Sequence, residues 1–364
     1  AGQDPESFPG MAHLLEHLMF SGSRYVPDGE FDRLLEEAGG VSNAWTDHDW
    51  TTYQVTAPRE ALDLVLFLEA ERIATFAGAL DQARIDRAVQ VIEQERFGQT
   101  NGGLAAQFNQ LLYPPEHPYR RRVLGSGAAL KGATVDDVVA FYARWMVPQN
   151  VQVVVGGNVS RIEVEKRVGH WFGGLGSTAN QDTPLPGTQS HDASNGERSR
   201  EYGERWWSTG NTSVPTLYAV WPTVVRGDPR EPALDLLADA WAESLQEVAP
   251  AGMTVRVWTQ NRKLGGVFVA ELRSEDGSLR GMDRWLDRQR KRFLQEVSNW
   301  GPSDLDRVRA KRTLRLSRDL VDLEQRVGVL AECLSWSGMS EAGREKGCMG
   351  IDMARIADVE LEHA

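Results

Sequence analysis

Gly10-Met11-Ala12-His13-Leu14-Leu15-Glu16-His17-Leu18-Met19-Phe20 is an apolar stretch interrupted by two histidines and one glutamate. Residues four apart on a helix lie on one face, so the imidazoles of His13 and His17 can meet at a single point. Glu16, three residues on from His13, shares that side and can reach a water held there. The order H-x-x-E-H is the reverse of the H-E-x-x-H zinc helix. Imidazole nitrogens suit zinc (Zn2+), and a catalytic zinc takes three protein ligands with one position open. The bland reading is a pair of surface histidines on an amphipathic helix.

A third ligand has to come from another element. Ile85, Ala88, Val89 and Ile92 recur at helical spacing and define the buried stripe of a helix over about Leu80 to Phe97. This helix offers Glu93 and Glu95, and two positions along a helix turn by about 200°, so only one of them can face the site. Glu95 projects near the edge of the apolar stripe and Glu93 well outside it. A carboxylate on the buried side needs a positive partner, and a metal ion would be one. Glu95 is the better candidate, with Glu93 kept as the alternative; 77 residues lie between His17 and Glu95.

Around this core the chain is 364 residues long, which sets a prior of two or three domains. Hydrophobic residues at 41% and charged ones at 25% are globular values. A net charge of −12 argues against a nucleic-acid binder held by phosphate contacts. No apolar run is long enough to span a membrane, and no signal peptide is visible. Cys333 and Cys348 have no metal-type spacing. Helices are expected over Gly10 to Phe20, Asp28 to Ala38 with Asp28 as N-cap, and Pro58 to Phe76. Further helices fall near Thr134 to Trp145 and Ser160 to Phe172. Val41 to Thr46 and Trp50 to Ala57 read as a strand pair, and Val151 to Gly156 as a buried strand. The stretch 176–200, rich in Gly, Ser, Asn, Asp and Pro, reads as a linker. Beyond it come strands at Pro215 to Trp221, Met253 to Gln260 and Gly266 to Arg273. Helices are expected at Glu231 to Val248, Leu279 to Val297 and Ser303 into the Trp336 region. The expected fold is therefore α+β: two similar, duplicated domains, 1–175 and 201–364, each an antiparallel or mixed sheet packed with helices.

Several blocks together resemble the pitrilysin/insulinase family of zinc metallopeptidases, the inverzincins, which include the mitochondrial processing peptidases. The helix block resembles G-x-A-H-x-x-E-H-x-x-F. Asp86-Arg87 through Glu93-Gln94-Glu95-Arg96 resembles D-R-x-x-x-V-V-x-N-E-R, a register that also selects Glu95. Gly40 to Tyr53 resembles G-x-x-N-A-x-T-x-x-D-x-T-x-Y. Glu116-His117-Pro118-Tyr119 with Gly125-Ser126, and Trp145 to Asn150, resemble two more blocks. The matches are close over about residues 2 to 175 and hold only in outline beyond.

The resemblance implies a zinc endopeptidase acting on unfolded or short peptides in an enclosed chamber. It implies His13, His17 and Glu95 as metal ligands and Glu16 as general base. It also implies that the Val41 to Thr46 strand is an edge that pairs with an extended substrate, with Asn43 and Ala44 as the contacts; alternatively Asn43 only holds the local turn. His48 and His117 are expected to be polar loop residues, and His170, His191 and His363 are assigned nothing. Three departures stand out. Ala88 occupies a position where many relatives carry a further glutamate. The stretch Ser244 to Val255 lacks the arginine and tyrosine that relatives aim at the substrate, and the second half has no H-x-x-E-H. Both ends look trimmed relative to the family. A small bacterial subunit, periplasmic or secreted, is implied, partnered with a zinc-free homologous subunit or with a second copy of itself. The rival readings are a non-catalytic scaffold or binding subunit of a peptidase complex, and a non-peptide hydrolase.

Overall fold

The computed structural model describes residues 1–98, 103–125, 127–175, 205–209, 214–275 and 277–336. The chain divides into two compact units, Ala1–Ser190 and His191–Ala364. Both are built of helices and antiparallel strands, so the fold is α+β. The expected linker at 176–200 lies outside the described residues.

In the first unit the order is α1 Met11–Leu18, α2 Glu30–Glu37, β1 Val41–Thr46, β2 Thr51–Thr56, α3 Leu62–Thr75 and α4 Gln82–Gly98. Then follow α5 Gly103–Leu112, α6 Gly127–Leu130, α7 Val135–Trp145 and α8 Arg161–Phe172. The core joins Met11, Leu14, Leu15 and Leu18 of α1 to Ile85, Ala88, Val89 and Ile92 of α4 and Val138 and Phe141 of α7. Each fully buried large aliphatic side chain is worth roughly 1.5–3 kcal/mol, so this interface fixes how α1 and α4 face each other. Continuing the α4 stripe by three residues from Ile92 carries Glu95 towards α1.

An eight-residue helix is too short to be stable alone, and α1 is held at its start. Asp4, buried, accepts hydrogen bonds from the backbone N–H groups of Gly10 (2.7 Å) and Ala12 (2.9 Å). Arg121 donates to the Asp4 carbonyl (2.7 Å). Gly10 (φ +100°) and Gly125 (φ +60°) pass backbone against backbone, and a Cβ on Gly125 would overlap the Pro9 carbonyl oxygen. Gly125→Ala is therefore expected to lower stability by about 1–3 kcal/mol, the usual range for overpacking. A urea midpoint equal to wild type would show that this crossing does not hold α1.

Buried Arg72 on α3 ties several elements together. Its guanidinium makes bidentate hydrogen bonds to Glu69 and lies over the rings of Tyr53 (4.4 Å), Phe20 (4.8 Å) and Phe31 (4.9 Å). It thus joins β2, the end of the α1 segment and α2.

The second unit has β3 Arg205–Thr209, β4 Thr216–Thr223, α9 Glu231–Val248, β5 Met253–Arg262, β6 Gly265–Ser274, α10 Met282–Val297, α11 Pro302–Asp319 and α12 Leu323–Trp336. The sheet order is β3-β4-β6-β5, antiparallel throughout. Leu217 and Ala219, Ala270 and Leu272, and Val255 and Val257 share one face and pack under Leu236, Trp241, Leu286 and Phe293. Arg312 ties α11 to α9 by donating to Asp235 (2.7 Å) and Asp239 (3.0 Å).

Three expectations need correcting. Residues 151–156 form no strand: they have no ladder partner among the described residues, and Val153 is exposed. The N-cap of α2 is Gly29, in the left-handed region, and not Asp28. The single helix expected from Ser303 to Trp336 is two, because the Asp322 carboxylate accepts from the N–H of Gln325 (2.9 Å) and starts α12 afresh. Helices α5 and α6 and strand β3 come in addition to the expected elements.

Candidate metal centre

The geometry of α1 and α4 brings three donors together. His13 Nε2 and His17 Nε2 are 3.3 Å apart. Glu95 Oε2 lies 3.6 Å from His13 Nε2, and Glu95 Oε1 lies 3.5 Å from His17 Nε2. One ligand atom from each of the three falls within 4.8 Å of the others. Glu93 points elsewhere, paired with Lys131 Nζ at 2.9 Å. Ala88, two turns back on the same face as Glu95, is packed in the apolar core.

Two imidazoles and a carboxylate converging at this spacing are the donor set zinc prefers. His13 is buried, and burial first, then the neighbouring His17, lowers its pKa to about 4. Its ring is thus neutral at pH 7, with a lone pair ready to bind. Its Nδ1 is buried without a hydrogen-bond partner. The residues present fit a zinc ion.

The lowered pKa has a consequence for the metal-free chain. The unfolded chain takes up a proton at His13 that the folded chain refuses between pH 6.5 and about 4. Stability should therefore fall as pH is lowered through that window, by on the order of 3 kcal/mol, with no contribution from this group above it. Urea midpoints at pH 7.5 and 4.5, for wild type and His13→Gln, measure the difference; identical slopes would remove His13 as the cause.

Glu16 is also buried, on the same helix side. Burial pushes its carboxyl pKa up, and a hydrogen bond from the Thr46 hydroxyl opposes that. Thr46, the last residue of β1, is the contact that sequence reasoning missed; the signals were its place at the end of an alternating strand and its threonine position in the G-x-x-N-A-x-T block.

β1 pairs with β2 alone among the described residues, with Asn43 opposite Gln54 and Ala44 opposite Tyr53. The hydrogen bond from Asp47 N–H to the Trp50 carbonyl sets the alternation and turns the N–H of Ala44 to the outer edge. There it donates to Asn43 Oδ1 at 2.9 Å. His48 is buried away from the metal donors: its Nε2 donates to the Arg121 carbonyl at 2.9 Å. His117 Nδ1 accepts from the N–H of Tyr119, and the ring stacks on Tyr113.

A family model described as Insulinase (Peptidase family M16) matches residues 1–101, and one described as Peptidase M16 inactive domain matches residues 132–277. The chain is 32% identical over 181 residues to the zinc protease PqqE of Helicobacter pylori, covering 49% of this chain and 40% of that protein. Its fold resembles that of a protease from Helicobacter pylori with TM-score 0.77 at 18% identity, over 100% of this chain and 86% of that one. It also resembles the periplasmic protease PqqL of Escherichia coli with TM-score 0.69 at 17% identity, over 100% of this chain and 41% of that one. The matched stretch spans about two fifths of the length of the zinc protease PqqE.

Proposed function

From the membership of this chain in the insulinase/pitrilysin family, we propose that it is a zinc-dependent endopeptidase acting on unfolded or short peptides held as an extended strand. The observation that supports this most is the convergence of His13, His17 and Glu95 beside a buried Glu16. His13, His17 and Glu95 would hold the ion. When bound there, zinc would supply Lewis-acid polarisation of the scissile carbonyl. Glu16 is placed to accept the proton of the water that attacks this carbonyl and to deliver it to the departing amine, a role its upward-shifted carboxyl suits. The outer edge of β1 offers main-chain hydrogen bonds to the peptide, with Asn43 and Ala44 in contact.

The same proposal includes a second subunit, a zinc-free homologue or another copy, that supplies groups absent from Ser244 to Val255 and closes the chamber. It places the protein in the bacterial periplasm or outside the cell, as a periplasmic neighbour in fold suggests. No helix among the described residues is long and apolar enough to cross a membrane.

A non-catalytic scaffold or binding subunit is the second reading; the match of 132–277 to a domain described as inactive favours it. Zinc content and cleavage of a quenched fluorescent peptide library, with and without a chelator, separate the two. About one zinc per chain, with cleavage lost on chelation and restored by zinc, supports the peptidase. Cleavage that appears only with an added homologous chain supports the two-subunit form. A folded chain that takes up no zinc leaves the scaffold.

A further inference from the structure

The hydroxyl of Thr46 donates to Glu16 Oε2, and the Oγ1 atoms of Thr46 and Thr51 lie 3.0 Å apart. A hydroxyl carries one proton, and an ionised carboxylate only accepts. The Thr46 proton is therefore committed to Glu16, and the bond between the threonines must run from Thr51 to Thr46. The direction of the relay follows: Thr51 to Thr46 to Glu16 Oε2, leaving Glu16 Oε1 outside it.

The relay sits on a rigid support. Thr46 and Thr51 are cross-strand partners, the last pair of the β1–β2 ladder. Both are β-branched and stiff at χ1. Along β1 the alternation half-buries Ser42, Ala44 and Thr46 and exposes Val41, Asn43 and Trp45. Thr46 thus faces α1 from a strand whose outer edge has no partner among the described residues. Glu16 by itself is a flexible side chain whose rotamer freedom has to be removed for it to act in one orientation.

We propose that Thr46 is a positioning residue, which with Thr51 behind it selects the Glu16 oxygen presented to the reacting water. This rests on the peptidase reading above and deepens it: the strand that offers its edge to an extended peptide also orients the base. Thr46→Val keeps the shape and removes the proton donor, and Thr46→Ser restores the donor.

In zinc-loaded protein with its active partner, Thr46→Val is expected to lower kcat about ten- to hundred-fold, the loss that one hydrogen bond to a charged group represents. KM and zinc content should stay unchanged, and Thr46→Ser should recover most of the rate. Thr51→Val should show a smaller loss in kcat alone, and it carries the test if Thr46→Val does not fold. A readout independent of turnover is the 13C resonance of the Glu16 carboxyl in the metal-free chain at fixed pH. It should move in Thr46→Val and return in Thr46→Ser. Wild-type kcat and an unmoved resonance in Thr46→Val, or a Thr46→Ser variant as impaired as Thr46→Val, overturn the positioning role while leaving the peptidase reading intact. A zinc-loaded Glu16→Gln control as active as wild type removes Glu16 as the base and the positioning role with it, while the cleavage itself leaves the peptidase reading standing.

Discussion

Glu16→Gln is expected to lower peptide turnover by about 10²–10⁴-fold, the usual contribution of a general base, while zinc content and fold stay as in wild type. The amide matches the carboxylate in size, and its carbonyl oxygen can still accept the Thr46 hydrogen bond. It cannot take up the proton of an attacking water. None of the three converging donors is touched, so metal content separates this variant from Glu95→Ala, which should lose zinc as well as rate. Turnover on the peptide library, with zinc measured on the same samples, is the check. A zinc-loaded Glu16→Gln variant that cleaves at the wild-type rate would rule Glu16 out as the base.

Arg72→Ala is expected to destabilise the first unit by about 3–5 kcal/mol, the range for removing one partner of a buried ion pair. The Arg72 side chain is 3% exposed and that of Glu69 18%, so the carboxylate left behind has little access to water. The three rings that face the guanidinium lose a cation–π partner at the same time. Adding Glu69→Gln should recover part of the loss, because it removes the uncompensated charge. Urea denaturation of the single and double variants measures both effects. A loss below about 1 kcal/mol in Arg72→Ala would mean that the cage does not hold these elements together.

Local periodicity carried much of the site. The spacing of His13, Glu16 and His17 defined one face of a helix. The stripe Ile85, Ala88, Val89 and Ile92 set the face of α4 that packs on α1. Burial does not separate the two glutamates: the Glu95 side chain is 38% exposed and that of Glu93 27%. What distinguishes them is that Glu95 meets His13 and His17. What periodicity could not give was partnership across elements. Lys131, which pairs with Glu93, and Thr46, which meets Glu16, are brought close by packing. The run at 151–156 has the composition of a strand, but a strand also needs a neighbour to bond with. The break before α12 was legible and overlooked: Asp322-Leu323-Glu324-Gln325 is a capping-box spacing. The clamp on α1 was not, since Asp4 reaches Gly10 and Ala12 through an irregular loop.

The Asn43 side chain occupies the outward N–H of Ala44 on the edge of β1 that has no partner among the described residues. An unprotected edge would invite indiscriminate sheet growth between molecules, and a side-chain amide blunts it without a proline or a bulge. The guard is weak enough to yield. An incoming extended chain has to replace one neutral hydrogen bond, a net term of about 0.5–1.5 kcal/mol. That amounts to a toll of up to roughly tenfold in affinity. Segments that pair along several residues overcome it, whereas a brief brush with another protein's surface does not. Under the proposed peptidase reading, the strand is thereby biased towards extended guests that pair along several residues and against its own kind.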